Sequence, residues 1–253
     1  MNYSRRDILK IGAAAGLAST APSHLLAQSN SAVPLTAREA SLQLAPPDYP
    51  QTAIWGFDGS MPGPVIRVWQ GGRVTRRLVN ELPQATSLHW HGVRIDNAMD
   101  GVAGLTQEAV APGASFDIDF VAPDAGTYWY HAHNRSVEQV ARGLYGAFVV
   151  EEPEGPDVDR DEILILDDWL LNPDTAQIDP DFTSRHDRSH AGRVGNFIAT
   201  NGQYGHSLDV RRHERLRLRL VNAAMALASP FALLHLLAQL AQCLPKMAAA
   251  SLH

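Results

Sequence analysis

Two short histidine pairs hold most of the chemistry available to this chain. Residues 87–92 read "SLHWHG" and residues 128–134 read "YWYHAHN". In a β-strand successive side chains point to opposite faces, so His89 and His91 share a face with Cα atoms roughly 6.5–7 Å apart. The same holds for His131 and His133. A lone His-x-His is weak evidence, because most strand histidines are satisfied core or surface residues. Two such pairs, each beside a tryptophan and each at the end of an apparent strand, say more. On adjacent strands they would bring four imidazoles together, and four imidazolium cations repel, so a metal ion is the natural way to hold them neutral. Imidazole suits zinc, copper, iron or nickel, and spacing does not choose among them. Trp90, Trp129 and Tyr130 are read as core packing beneath the site.

Composition fits this chemistry. The chain has 253 residues, room for one large domain or two small ones. Eleven histidines stand against one cysteine, Cys243, which excludes an internal disulfide and a Cys-rich zinc site. A formal net charge of −6 gives no reason to expect nucleic acid or an anionic membrane as partner. The first thirty residues stand apart. "SRRDILK" precedes a short apolar run, "IGAAAGLASTA", and then "PSHLLAQS". The run is too short for a membrane span, so no stable membrane anchor is expected. Arg5 and Arg6 with Ile8, Leu9 and Lys10 resemble a twin-arginine export signal over residues 1–30, cleaved near Ala27. The expectation is a bacterial protein exported by the twin-arginine machinery to the periplasm or beyond. The alternative is a basic N-terminus with no export role.

The elements that must position the histidines are strands. "ASLQLA", "TAIWGF", "GPVIRVW", "RVTRRLVN", "TSLHWHGV", "SFDIDFVA", "GTYWYHAH" and "GAFVVEE" are separated by Gly/Pro/Asp turns, which predicts an all-β sandwich or barrel. "EEPEGPDVDRDE" (151–162) reads as a linker, "ILILDDWL" opens a second β region, and 170–200 reads as a long loop or small helical insertion. A repeat links the two regions: "DGSMPGPVIRVWQGGRVTRRLVN" (58–80) resembles "NGQYGHSLDVRRHERLRLRLVN" (201–222). In the second copy Leu216, Leu218 and Leu220 alternate with Arg215, Arg217 and Arg219, which predicts leucines in a core and arginines in water. His213 falls where the first copy has Gly71 and is expected to be exposed. After Asn222 the copies diverge into an apolar tail without strand alternation. The tail is either a packing helix or the product of a reading frame lost near residue 224, and the second is preferred.

The stretch from "HWHGVRIDNAMDG" to "GTYWYHAHNRSVEQVARGLYGAFVVEE" resembles the first cupredoxin domain of multicopper oxidases, the laccase, bilirubin oxidase and copper-efflux oxidase group. The likeness covers about residues 35–222. It implies an all-β, cupredoxin-like (plastocyanin-like) Greek-key β-sandwich over 35–152, an incomplete second cupredoxin domain over 160–222, and a non-homologous, helical tail over 223–253. It further implies copper-dependent oxidation of a phenol or metal ion coupled to reduction of O₂ to water. His89 matches a type 2 copper ligand of the family's trinuclear cluster, and His91, His131 and His133 match type 3 ligands. Asp100 in "MDG" matches a carboxylate that handles protons during O₂ reduction; the other reading is a turn residue before Gly101.

The chain departs from the family pattern as well. The family's other cluster ligands and its type 1 blue site come from an H-x-x-H-x-H and a His-Cys-His motif, and neither occurs here. Cys243 in "AQCLPK" has no flanking histidine. Half of the ligands are therefore expected, with no type 1 site. The chain alone is expected to bind little copper and to oxidise nothing, and self-association would not restore the absent motifs. His186 and His190 are read as solvated loop histidines, and His206 and His235 as single ones. The rival functions are a copper-binding or sequestering protein without catalysis, a zinc hydrolase lacking its usual extra carboxylate ligands, and a fragment with no activity of its own.

Overall fold

The computed structural model describes residues 32–185, 187 and 192–225. The proposed export signal, the tail beyond residue 225, His186, His190, His235 and Cys243 lie outside the described residues. Eight strands form a sandwich: β1 (Val33–Leu42), β2 (Thr52–Phe57), β3 (Gly63–Trp69), β4 (Arg73–Asn80), β5 (His89–His91), β6 (Ser115–Val121), β7 (Gly126–His131) and β8 (Tyr145–Glu151). One sheet has the order β2-β1-β4-β6 and the other β3-β8-β7-β5. β1 pairs with β4, and β3 with β8, in parallel, while the remaining pairs are antiparallel. The fold is all-β and cupredoxin-like, and its one described α-helix, α1 (Ser136–Ala141), follows β7.

Alternation explains the sheets. In β4, Val74 and Leu78 are buried, while Arg73 and Arg77 turn outward and grip Asp119 and Asp117 of β6 through paired hydrogen bonds of 2.6–2.8 Å. Between the sheets lie Leu35, Phe57, Ile118, Phe120, Tyr130, Phe148 and Trp90. Trp90 meets Phe120 and Phe148 edge-on at ring separations of 5.0 and 5.2 Å, a favoured aromatic geometry.

A third sheet, β10-β9-β11, packs on the outer face of the β3-β8-β7-β5 sheet: β9 is Arg160–Trp169, β10 Phe197–Thr200 and β11 Leu216–Asn222. Ile165, Trp169 and Val221 meet Met61, Tyr145 and Ala147 there. The Tyr145 hydroxyl donates to Asp167 at 2.7 Å in this seam, and burial pushes the Asp167 carboxyl well above its ordinary value.

The sequence repeat is a structural one. β10-β9-β11 reproduces β2-β1-β4, with the outer two strands antiparallel and parallel to the middle one in the same way. The Asp58-Gly59 turn, at φ 54° and 75°, recurs as Asn201-Gly202 at 50° and 70°. Thr36 N donates to Asp58 Oδ1 at 2.8 Å, and Ile165 N to Asn201 Oδ1 at 2.8 Å. His213, exposed at φ 67°, stands where Gly71 adopts 78°.

Several boundaries differ from the sequence expectation. β1 starts at Val33 rather than Ala40, because Val33–Ala37 pairs with β4. β9 starts at Arg160, inside the expected linker, because Leu216–Asn222 lies beside it in register. β10 lies in the expected loop. β5 keeps only His89–His91, since Gly92 turns the chain at φ 79°. The β11 pattern holds at Leu218, which packs against Leu164 and Leu166, and is reversed at the next pair: Arg219 is 2% exposed and Leu220 45%. The arginine faces the seam, where Asp161, Glu151 and Thr127 surround it, and three acceptors there outweigh the preference of its charge for water.

Candidate metal centre

The register of β5 against β7 builds the site. His89 lies opposite His131, Trp90 opposite Tyr130 and His91 opposite Trp129. Trp90 and Tyr130 therefore enter the core, while the histidines and Trp129 occupy the other face. One ligand nitrogen each from His89, His91 and His131 falls within 4.8 Å of the others. It is the only such grouping of three histidine, cysteine or carboxylate groups among the described residues. His133, two residues beyond the end of β7's histidine, flanks the trio with ring separations of 5.0 Å to His89 and 5.9 Å to His131.

Backbone carbonyls set the tautomers. His89 Nδ1–H donates to the Asp100 carbonyl oxygen at 2.8 Å, and Asp100 Oδ1 lies 3.2 Å from the same nitrogen. His131 Nδ1–H donates to the Ala132 carbonyl oxygen at 3.1 Å. Each ring thus presents an Nε2 lone pair, the arrangement that metal-bound histidines ordinarily have. His91 Nδ1 and His131 Nε2 lie 3.3 Å apart and face each other. Asp100 follows the 3-10 turn Asn97–Met99, which Asp96 caps by accepting from Ala98 N at 2.9 Å. It is a turn residue and a His89 contact at once. The donor set, close-set neutral imidazoles with oriented lone pairs, fits a borderline-soft cation such as copper.

Burial disfavours the charged form at two of the rings. Burial first, then the neighbouring His89, His91 and His133, push His131 down to about 3 from its ordinary 6.5. Burial, then His89 and His133, lower His91. Between pH 6.5 and 3 the unfolded chain takes up a proton at His131 that the fold refuses, so stability falls with pH in that window. From pH 7 to 5 the metal-free fold should lose about 2 kcal/mol through this residue. Urea midpoints of the chain and of His131→Asn check it; parallel pH slopes would refute it.

Residues with no sequence signal hold the site's two strands together. After β7, Asn134 Nδ2 and Gln139 Nε2 donate to the Ala85 carbonyl at 2.6 and 2.8 Å, and Thr86 Oγ1 donates to Gln139 Oε1 at 2.7 Å. Gln139 on α1 is fully buried. This clamp ties the segment entering β5 to the segment leaving β7. Trp129, expected as core packing, does pack on the seam cluster, but its two-residue spacing from His131 also places it on the histidine face. His206 is separate and hydrogen-bonds Gln203 Oε1 at 3.3 Å. No described helix is long and apolar enough to cross a membrane.

Comparison with known proteins agrees with this geometry. The multicopper oxidase family model matches residues 40–155, which include the four histidines and Asp100. The chain is 36% identical over 155 residues to a copper resistance protein A homolog of Pseudomonas syringae pv. tomato, covering 60% of this chain and 26% of that protein. It is 36% identical over 175 residues to the iron transport multicopper oxidase fetC of Epichloe festucae, covering 67% and 28%. Among solved structures, Lac15 from a marine microbial metagenome is 44% identical with a TM-score of 0.65, covering 77% of this chain and 48% of that one. A multi-copper oxidase from Pseudomonas thermotolerans is 34% identical with a TM-score of 0.72, covering 78% and 48%. The chain thus spans about a quarter of these curated relatives and about half of these solved structures. Residues 40–155 of this chain match the multicopper oxidase family model, and the fold they adopt is cupredoxin-like.

Proposed function

We propose that this chain carries one half of the trinuclear copper cluster of an exported multicopper oxidase that oxidises a phenol or metal ion and reduces O₂ to water. His89 is the type 2 ligand, and His91, His131 and His133 are type 3 ligands. The convergence of three ligand nitrogens within 4.8 Å carries this reading. Bound copper supplies the electron transfer to O₂. The chain's own residues orient the imidazoles, disfavour protonation of His131 and His91 and, at Asp100 beside His89 Nδ1, hold an ionisable group next to the cluster. Residues 35–152 are the first cupredoxin domain and 160–222 the opening strands of a second. Residues 1–30 direct export to the periplasm by the twin-arginine route. Its relatives are named for copper resistance, iron transport and laccase, which makes phenols and metal ions the candidate reductants.

The preformed trio favours metal uptake by this chain more than its sequence does. Copper titration of the purified chain should show a cupric ion bound at this face and lost in His131→Ala. Oxygen uptake with a phenolic reductant should be absent, because Cys243 has no flanking histidine to make a blue site. Turnover by the chain alone would overturn the half-cluster assignment. A copper-binding protein without catalysis is the second reading, favoured by the same preformed trio. Supplying the remaining portion of the Pseudomonas thermotolerans relative in trans separates the two. Restored oxygen uptake supports the oxidase, and binding without uptake supports sequestration.

A further inference from the structure

We propose that Trp129 is a positioning residue for the metal centre, a fixed aromatic wall that sets the ring planes of His91 and His131. Its indole stacks on His131 at 4.2 Å between centroids and 28° between planes. It also lies on His91 at 5.0 Å and 33°. These are the two rings whose nitrogens face each other at 3.3 Å. The arrangement follows from register: Trp129 is cross-strand neighbour to His91 and lies two residues from His131 on the same face.

A stacked wall matters because hydrogen bonds leave His91 underdetermined. His89 and His131 each have Nδ1 anchored on a backbone carbonyl. His91 is exposed, and its Nδ1 faces His131 Nε2 rather than a backbone carbonyl. An imidazole held at one nitrogen by another imidazole can still rotate about its Cβ–Cγ bond. The indole face removes that freedom for both rings. Trp129 is itself immobilised. Its cross-strand neighbour on β8 is the fully buried Ala147, which leaves space for the indole. Its far side packs into the seam cluster that contains Ile165 and Val221. The third sheet thereby supports the metal face through one side chain.

This inference rests on reading the histidines as metal ligands, so its test has one arm with copper and one without. In the full-length chain, Trp129→Leu should weaken cupric ion affinity, measured against a competing chelator, by about tenfold, as loss of groups orienting metal-bound histidines does. Trp129→Phe keeps an aromatic face and should stay within about threefold. In the metal-free chain, ring ¹⁵N shifts should report one tautomer for His91 in the unaltered protein and in Trp129→Phe, and averaging in Trp129→Leu, while His131 keeps the tautomer that the Ala132 carbonyl sets. If Leu at this position prevents folding, Trp129→Met is read in its place. Retention of a single His91 tautomer and of affinity in the non-aromatic variant would overturn the proposal. If the unaltered chain takes up no copper, the metal assignment fails, and the tautomer comparison still decides the role of Trp129.

Discussion

Replacing Gly101 with alanine is expected to destabilise the fold by about 4 kcal/mol or more, within the range reserved for unrelievable backbone clashes. Gly101 has φ 75° and lies directly against the chain at Leu88–His89. A Cβ there would collide with the Leu88 carbonyl oxygen and carbon, which are backbone atoms that cannot swing aside. Gly104 is the internal control. Its φ of 78° is nearly the same, but a Cβ there meets nothing within 4 Å. Gly104→Ala should therefore cost only the left-handed penalty, about 1 kcal/mol. The difference between the two variants measures the close approach alone. Since Asp100 holds His89 Nδ1 from this same turn, whatever Gly101→Ala protein remains folded should also bind copper more weakly. Urea denaturation of both variants decides the matter; equal losses would show that the turn can move away from β5 freely.

Punctuation explains which elements could be read from sequence. β2, β3 and β4 match the expected strands at both ends, because Asp58-Gly59 and Gly71-Gly72 mark sharp breaks between alternating runs. The histidine pairs were legible for the same reason, since a period of two puts each pair on one face. Their convergence was not, because it depends on His89 lying opposite His131, and a slip of one residue would send one pair into the core. The resemblance to multicopper oxidases implies that the pairs share one cluster, and the register of β5 against β7 brings them together. The Asn134–Gln139 clamp was invisible because its bonds end on the Ala85 carbonyl, a group that every residue possesses. Trp129 was hidden by its type. An apolar ring beside histidines reads as core, and only the cross-strand partner shows that it stacks on the ligands.

Arg219 shows how tertiary context inverts a pattern, and its removal should have the second large effect. Alternation in "RLRLRLVN" puts the arginines in water, yet Arg219 is buried between the third sheet and the sandwich. Its Nε donates to Asp161 Oδ1 at 2.7 Å, its Nη2 to Asp161 and Glu151 at 2.7 and 3.0 Å, and its Nη1 to Thr127 Oγ1 at 3.0 Å. The hydrogen bond to Asp161 is the main reason that its own pKa is raised. Arg219→Ala leaves the Asp161 carboxylate without its guanidinium in a partly dehydrated seam, where Glu151 keeps Arg67 as its partner, and breaking such a pair from one side costs about 3–5 kcal/mol. Removing the charges on the other side should restore much of that loss. Arg219→Met with Asp161→Asn and Glu151→Gln is expected to recover more than half of it, because a buried ion pair and an uncharged replacement of similar volume differ little. Denaturation of the single and triple variants tests the account. A triple variant as unstable as Arg219→Ala would mean that the guanidinium acts through packing rather than through charge. Because the third sheet also supports Trp129, Arg219→Ala should loosen the His91 and His131 rings even where the sandwich stays folded, joining the seam to the metal face.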